Sequence, residues 1–198
     1  MIETIREAVA SEDPCDLTTH PEVERFAAVC VLLGGPPSDP MVWLMRRAEH
    51  AGDPWSGQLA FPGGRREDCD VSLRATAQRE TAEEVGIDIP TSAWLGRLHD
   101  LRSVPRPRLA VRPHAAYMER MPPFATNAEV ASMHAVSLSD LLAGKKRSSF
   151  SLRTPHGAFE LPCVDVDGHR LWGMTLQFID DLLHRIDGLG HGLARPTR

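Results

Sequence analysis

The spacing of hydrophobic and polar positions changes several times along the chain, and each change marks an element. Ile2, Ile5 and Val9 recur at helical intervals within residues 2 to 11 before Pro14, which predicts a short N-terminal helix. Phe26 to Leu33 is a compact apolar strand, Gly34 to Pro40 is a turn that no helix survives, and a second strand runs from Met41 to Arg46. A polar connection, Arg47 to Gly57, leads into the short apolar run Gln58 to Phe61, and Pro62-Gly63-Gly64 turns the chain. A helix follows over roughly 71 to 85, with Asp70 as its expected N-cap and Gly86 as a left-handed residue at its end. Its packing side carries Ala75, Ala77, Thr81, Ala82 and Val85, short enough to lie close against a sheet.

Beyond it, Ser92 to Leu101 and Leu109 to Met118 alternate as strands, separated by a loop, Val104 to Arg108, whose prolines remove ladder donors. A second irregular stretch, Met121 to Asn127, delivers Glu129 and a strand ending at Val136, then a helix from Leu138 to Ala143 capped by Ser137 or Ser139. Gly144 to Arg147 is a basic turn, Ser148 to Leu161 reads as a hairpin around Pro155-His156-Gly157, and Cys163 to Gly168 turns the chain again. An amphipathic helix then runs to about Ile186, and the tail after Asp187 is expected to be mobile. Nothing recurs at the 20 to 50 residues of a repeat array. Helices before, amid and after mixed strands predict an α/β fold, an α/β/α sandwich formed as one domain over 1–198.

Charge changes this picture at one place. Glu80, Glu83 and Glu84 project within roughly 100° of one helix face, with Arg79 at its edge. Like charges so crowded call for a positive partner, and hard divalent cations such as Mg²⁺ or Mn²⁺ accept oxygen ligands. The net charge of -5 argues against a general nucleic-acid binder, although Arg46, Arg47, Arg65 and Arg66 stand close to the glycine turn. Four widely spaced cysteines without a Cys-x-x-Cys pair read as buried or half-buried free thiols in a reducing cytosol, and the nine histidines form no ligand pair. No signal segment or apolar run of membrane length is apparent, so a cytoplasmic protein without a membrane partner is expected.

The run from Gly64 to Ile87 resembles the Nudix box: Gly64, Arg79, Glu80, Glu83, Glu84, Gly86 and Ile87 fill their places. It departs from that pattern in carrying Asp70 where Glu is usual, eight residues rather than seven between that acid and Arg79, and Thr81 in an apolar slot. The longer spacing, Phe61-Pro62-Gly63-Gly64 and Trp172-Gly173-Met174-Thr175 are similar to the coenzyme A diphosphatase branch. Arg47 resembles the first arginine of that branch's signature, whereas Asp53 stands in the slot of the second and the connection is one residue longer.

The resemblance implies the Nudix fold and metal-dependent hydrolysis of X-P-P-nucleoside compounds. Coenzyme A or acyl-CoA, cut to 4'-phosphopantetheine and adenosine 3',5'-bisphosphate, leads. ADP-ribose, dinucleotides or nucleoside triphosphates stand as alternative small-molecule substrates, and a non-catalytic nucleotide-binding module is a reading of another class. Glu80, Glu83 and Glu84 would be metal ligands, Gly63 and Gly64 would offer N–H groups to phosphate, and Arg46, Arg47 and Arg66 would contact substrate. Glu83 and Glu84 would take part in catalysis, with Arg79 orienting the acids through Glu83. Glu129 would serve as ligand or general base, or be an exposed strand-end residue. Asp70 would act as a cap rather than a ligand, and Trp55 would stack on adenine or simply pack. The oligomeric state, a homodimer included, stays open.

Overall fold

The computed structural model describes residues 1–11, 13–52, 55–104, 106–154 and 157–188. Helix α1 (Ile2–Ser11) precedes strands β1 (Arg25–Gly34), β2 (Met41–Arg47), β3 (Leu59–Ala60) and β4 (Gly63–Arg65). Helix α2 (Leu73–Val85) is followed by β5 (Trp94–Arg97), β6 (Leu101–Arg102), β7 (Leu109–Met118) and β8 (Val130–Ser137). Helix α3 (Leu138–Leu142), strands β9 (Arg147–Thr154), β10 (Gly157–Val166) and β11 (His169–Trp172), and helix α4 (Gly173–Ile186) complete the order.

The main sheet is mixed. β1 runs parallel to β7 from Arg25↔Leu109 to Gly34↔Met118 and antiparallel to β2 and β4, while β8 lies on the far side of β2. β9, β10 and β11 form a separate antiparallel sheet. Period-two alternation along β1 sends Val31 and Leu33 into a core with α1 and α4, and Ala28, Cys30 and Leu32 into a second core beneath α2. With both faces apolar, the sheet is covered by helices on both sides, in agreement with the sandwich expected from the sequence.

Three local expectations change. The predicted strand Ser92–Leu101 is a 3₁₀ turn at Thr91–Ala93, then β5 and β6, because Gly96 sits at φ 148° and the β5–β7 register shifts between Trp94 and Gly96. Ser137, not Ser139, caps α3, accepting from Asp140 N at 3.2 Å. Cys30 and Cys163 are buried, but Cys15 and Cys69 are exposed. Asp53, the Pro155–His156 tip of the hairpin and the tail from 189 lie outside the described residues. No helix among the described residues is long and apolar enough to cross a membrane.

Candidate active site

Helix α2 lies on β1 and β4 through Leu73, Thr76, Ala77, Thr81 and Val85, all buried, although Ala82 of the expected packing side is exposed. Ser72, rather than Asp70, caps it, its hydroxyl accepting from Ala75 N at 3.1 Å. Gly86 closes it at φ 73°, its N–H donating to Ala82 O. The next carbonyls are capped from a distance: Ala125 N donates to Val85 O and Asn127 N to Glu84 O, each at 3.0 Å. The loop before β8 is thereby tied to the end of α2, and Glu129 is delivered near the acidic face.

Asp70 has a different role from the one expected. Arg79 Nε and Nη2 donate to its two carboxylate oxygens at 3.1 Å each, and Glu67 N and Thr76 Oγ1 complete its shell at 2.9 and 3.0 Å. These hydrogen bonds, led by Arg79, hold the buried carboxyl down at about 2. From that anchor Arg79 Nη1 reaches Glu80 Oε1 at 3.0 Å and Glu83 Oε2 at 3.1 Å, and Nη2 donates to Arg65 O at 3.0 Å. The expected Arg79–Glu83 pair is present, as one arm of a fork that begins at Asp70.

Glu84 is buried, and its Oε2 accepts from Gly63 N at 2.7 Å. Burial, with Glu80 and Glu129 close by, nevertheless pushes its carboxyl up to about 8, against the Gly63 hydrogen bond and the charge of Arg47. Burial raises Glu80 as well. The glycine pair permits this geometry: a Cβ on Gly64 would collide with the Glu80 carboxylate, and one on Gly63, at φ 158°, with Ala28 O and Val29. The Gly63 N–H, expected to serve phosphate, is taken by Glu84, and Gly64 is paired with Ala28 in the β1–β4 ladder.

The arginines separate. Arg47 lies close enough to Glu84 to stabilise its charge, whereas Arg46 projects to the opposite face of β2 and donates to Glu49 at 2.7 Å. Arg66 donates through Nε and Nη2 to Asp70 O at 3.4 and 3.2 Å, so its head is fixed on the turn. Trp55 carries the guanidinium of Arg106 4.5 Å above its ring. The structure therefore gathers Glu80, Glu83, Glu84, Arg79, Arg47 and Glu129, and directs Arg46 elsewhere.

Among the described residues, no three acidic, histidine or cysteine side chains are already drawn into a metal shell. Arg79 holds Glu80 and Glu83, and Gly63 holds Glu84, in the positions a cation would contest. The donor set still fits a hard divalent ion, because it consists of carboxylate oxygens crowded on one helix face, with Glu84 and Glu80 raised first by burial and further by their acidic neighbours.

Residues 24–151 match the family model of the NUDIX domain. Over 178 residues the chain is 30% identical to the uncharacterized Nudix hydrolase NudL of Yersinia pestis (strain Pestoides F), covering 87% of each protein. The structure resembles the NUDIX domain of Shewanella oneidensis NrtR, complexed with ADP ribose, with a TM-score of 0.56 and 20% identity over 91% of this chain and 97% of that one. It also resembles a MutT/nudix family protein from Enterococcus faecalis, with a TM-score of 0.57 and 18% identity over 96% of this chain and 75% of that one. The acidic helix face, its glycine turn and these likenesses agree: the chain belongs to the Nudix family and is a diphosphohydrolase.

Proposed function

We propose that the chain hydrolyses the diphosphate bond of coenzyme A or its acyl derivatives, giving 4'-phosphopantetheine, free or acylated, and adenosine 3',5'-bisphosphate. The observation that carries the reading is the Asp70–Arg79 fork. The acid is one methylene shorter than the usual Glu and the connection one residue longer, a spacing similar to the coenzyme A branch, and together they still reach Arg79 with both oxygens. Phe61 to Gly64 and Trp172 to Thr175 support the same branch.

Nudix hydrolases generally use divalent metal ions; here Glu80, Glu83 and Glu84 would hold Mg²⁺ or Mn²⁺. When bound, such ions neutralise the diphosphate charge and acidify a water. Arg79, anchored on Asp70, positions Glu80 and Glu83 beside Glu84. Arg47, whose positive charge acts on Glu84, would contact the diphosphate. Either Glu84 or Glu129 would accept the proton of the attacking water. Gly64 contributes by leaving room for Glu80.

Turnover is measured with Mg²⁺ or Mn²⁺ on coenzyme A, acetyl-CoA, dephospho-CoA, ADP-ribose, a dinucleotide and a nucleoside triphosphate. Coenzyme A compounds should exceed the others by at least ~10-fold in kcat/KM. ADP-ribose belongs in the panel because the Shewanella domain is complexed with it. A clear preference for a substrate lacking the 3'-phosphate would exclude the coenzyme A reading.

A further inference from the structure

On the face of β2 opposite α2, two side chains of β8 and one from the turn between β10 and β11 form a hydrogen-bonded line. Ser132 and His134 lie two residues apart on β8, and Ser132 Oγ is 2.8 Å from His134 Nε2. His134 Nδ1 is 3.0 Å from a carboxylate oxygen of Asp167, at φ 52° in the Asp167–Gly168 turn between β10 and β11. An ionised carboxylate only accepts hydrogen bonds, so Nδ1 carries the ring proton and Nε2 of the neutral ring accepts from the serine hydroxyl. His169 meets His134 edge-on, with ring centroids 4.8 Å apart, and confines its plane.

A fourth group completes the set. Arg46 stands opposite Ser132 in the β2–β8 ladder. Its Nη2 is held by Glu49 at 2.7 Å, while its buried Nε has no hydrogen-bond partner among the described residues. A cavity of about 500 Å³ lies alongside, lined by Gly57, beside the Arg46 guanidinium, by Gly168, which follows Asp167, by His169, whose ring meets His134, and by Phe150 and Trp172.

We propose that Ser132, His134, Asp167 and Arg46 form a second hydrolytic site, specific for carboxylic esters, separate from the acidic face of α2. Ser132 Oγ attacks the ester carbonyl and its proton passes to His134 Nε2. Arg46 Nε donates to the resulting oxyanion. Collapse breaks the bond to the alkoxy group, which leaves with the proton from Nε2. Water then attacks the acyl-serine with His134 as base, releasing the carboxylic acid and restoring the hydroxyl. Asp167 positions the imidazole.

The test uses the full chain and an alkyl fluorophosphonate, in which Ser132 displaces fluoride at phosphorus while His134 takes the hydroxyl proton. Peptide mass analysis should find one adduct, on Ser132. It should be absent in Ser132→Ala and form at least ~100-fold more slowly in His134→Gln. Hydrolysis of p-nitrophenyl butyrate should follow the same order, while diphosphate hydrolysis in Ser132→Ala, measured in parallel, stays at the unmodified level and shows that the variant is folded. No adduct, an adduct on another residue, or equal labelling rates with and without His134 would overturn the proposal.

Discussion

Replacing Asp70 by Asn separates what holds the site in place from what performs its chemistry. The carboxyl is buried, bonds both donors of the Arg79 fork, and is held near 2 against an ordinary 3.8. At about 1.4 kcal/mol per pH unit, that depression amounts to roughly 2.5 kcal/mol of stability. Because the folded value is lowered, the contribution is complete above about pH 4 and disappears as the pH falls through 2. Urea unfolding at pH 7 should place Asp70→Asn roughly 2 to 3 kcal/mol below the unmodified protein. The difference should shrink to about half at pH 3. Turnover should fall as well, since Arg79 loses the anchor from which it directs Glu80 and Glu83. A stability difference that is absent at pH 7, or equally large at pH 3, would refute the reasoning.

Further expectations concern the acids and the glycine turn. Glu83→Gln, at a side chain 56% exposed, should shift the thermal midpoint by no more than ~2 °C while lowering kcat by at least ~100-fold. Gly64→Ala should force Glu80 off its position and reduce metal-dependent turnover at least ~100-fold, with fluorescence-monitored metal titration showing the weaker binding. Because burial and neighbouring acids raise Glu84, its charge costs stability as pH rises from its unfolded value through about 8. Glu84→Gln should therefore raise the midpoint of the metal-free protein at pH 8 and abolish the further rise on adding Mn²⁺, both read by thermal melting.

The acidic face of α2 and its Gly86 terminus could be read directly, because a fixed pattern of charge and a left-handed end are local properties. The N-cap could not: Asp70 and Ser72 are both good caps, and a tertiary ion pair with Arg79 removes Asp70 from contention. Neighbouring Arg46 and Arg47 look alike in sequence, but strand alternation sends them to opposite faces. That separation was implicit in the strand prediction. The kink at Gly96 left no trace in the alternation, since an irregular register keeps the hydrophobic pattern largely intact. Ser132, His134 and Asp167 were out of reach of spacing arguments, for only the pairing of β10 with β11 brings Asp167 back over β8.

The central claim is that the acids of α2 bind divalent cations where the diphosphate is cut. Anomalous diffraction from crystals soaked in Mn²⁺ tests it most directly. Peaks should appear among Glu80, Glu83 and Glu84, with Glu80 or Glu83 drawn off Arg79 to reach the ion. Saturating Mn²⁺ with no peak there, and Arg79 still holding both carboxylates, would contradict the account.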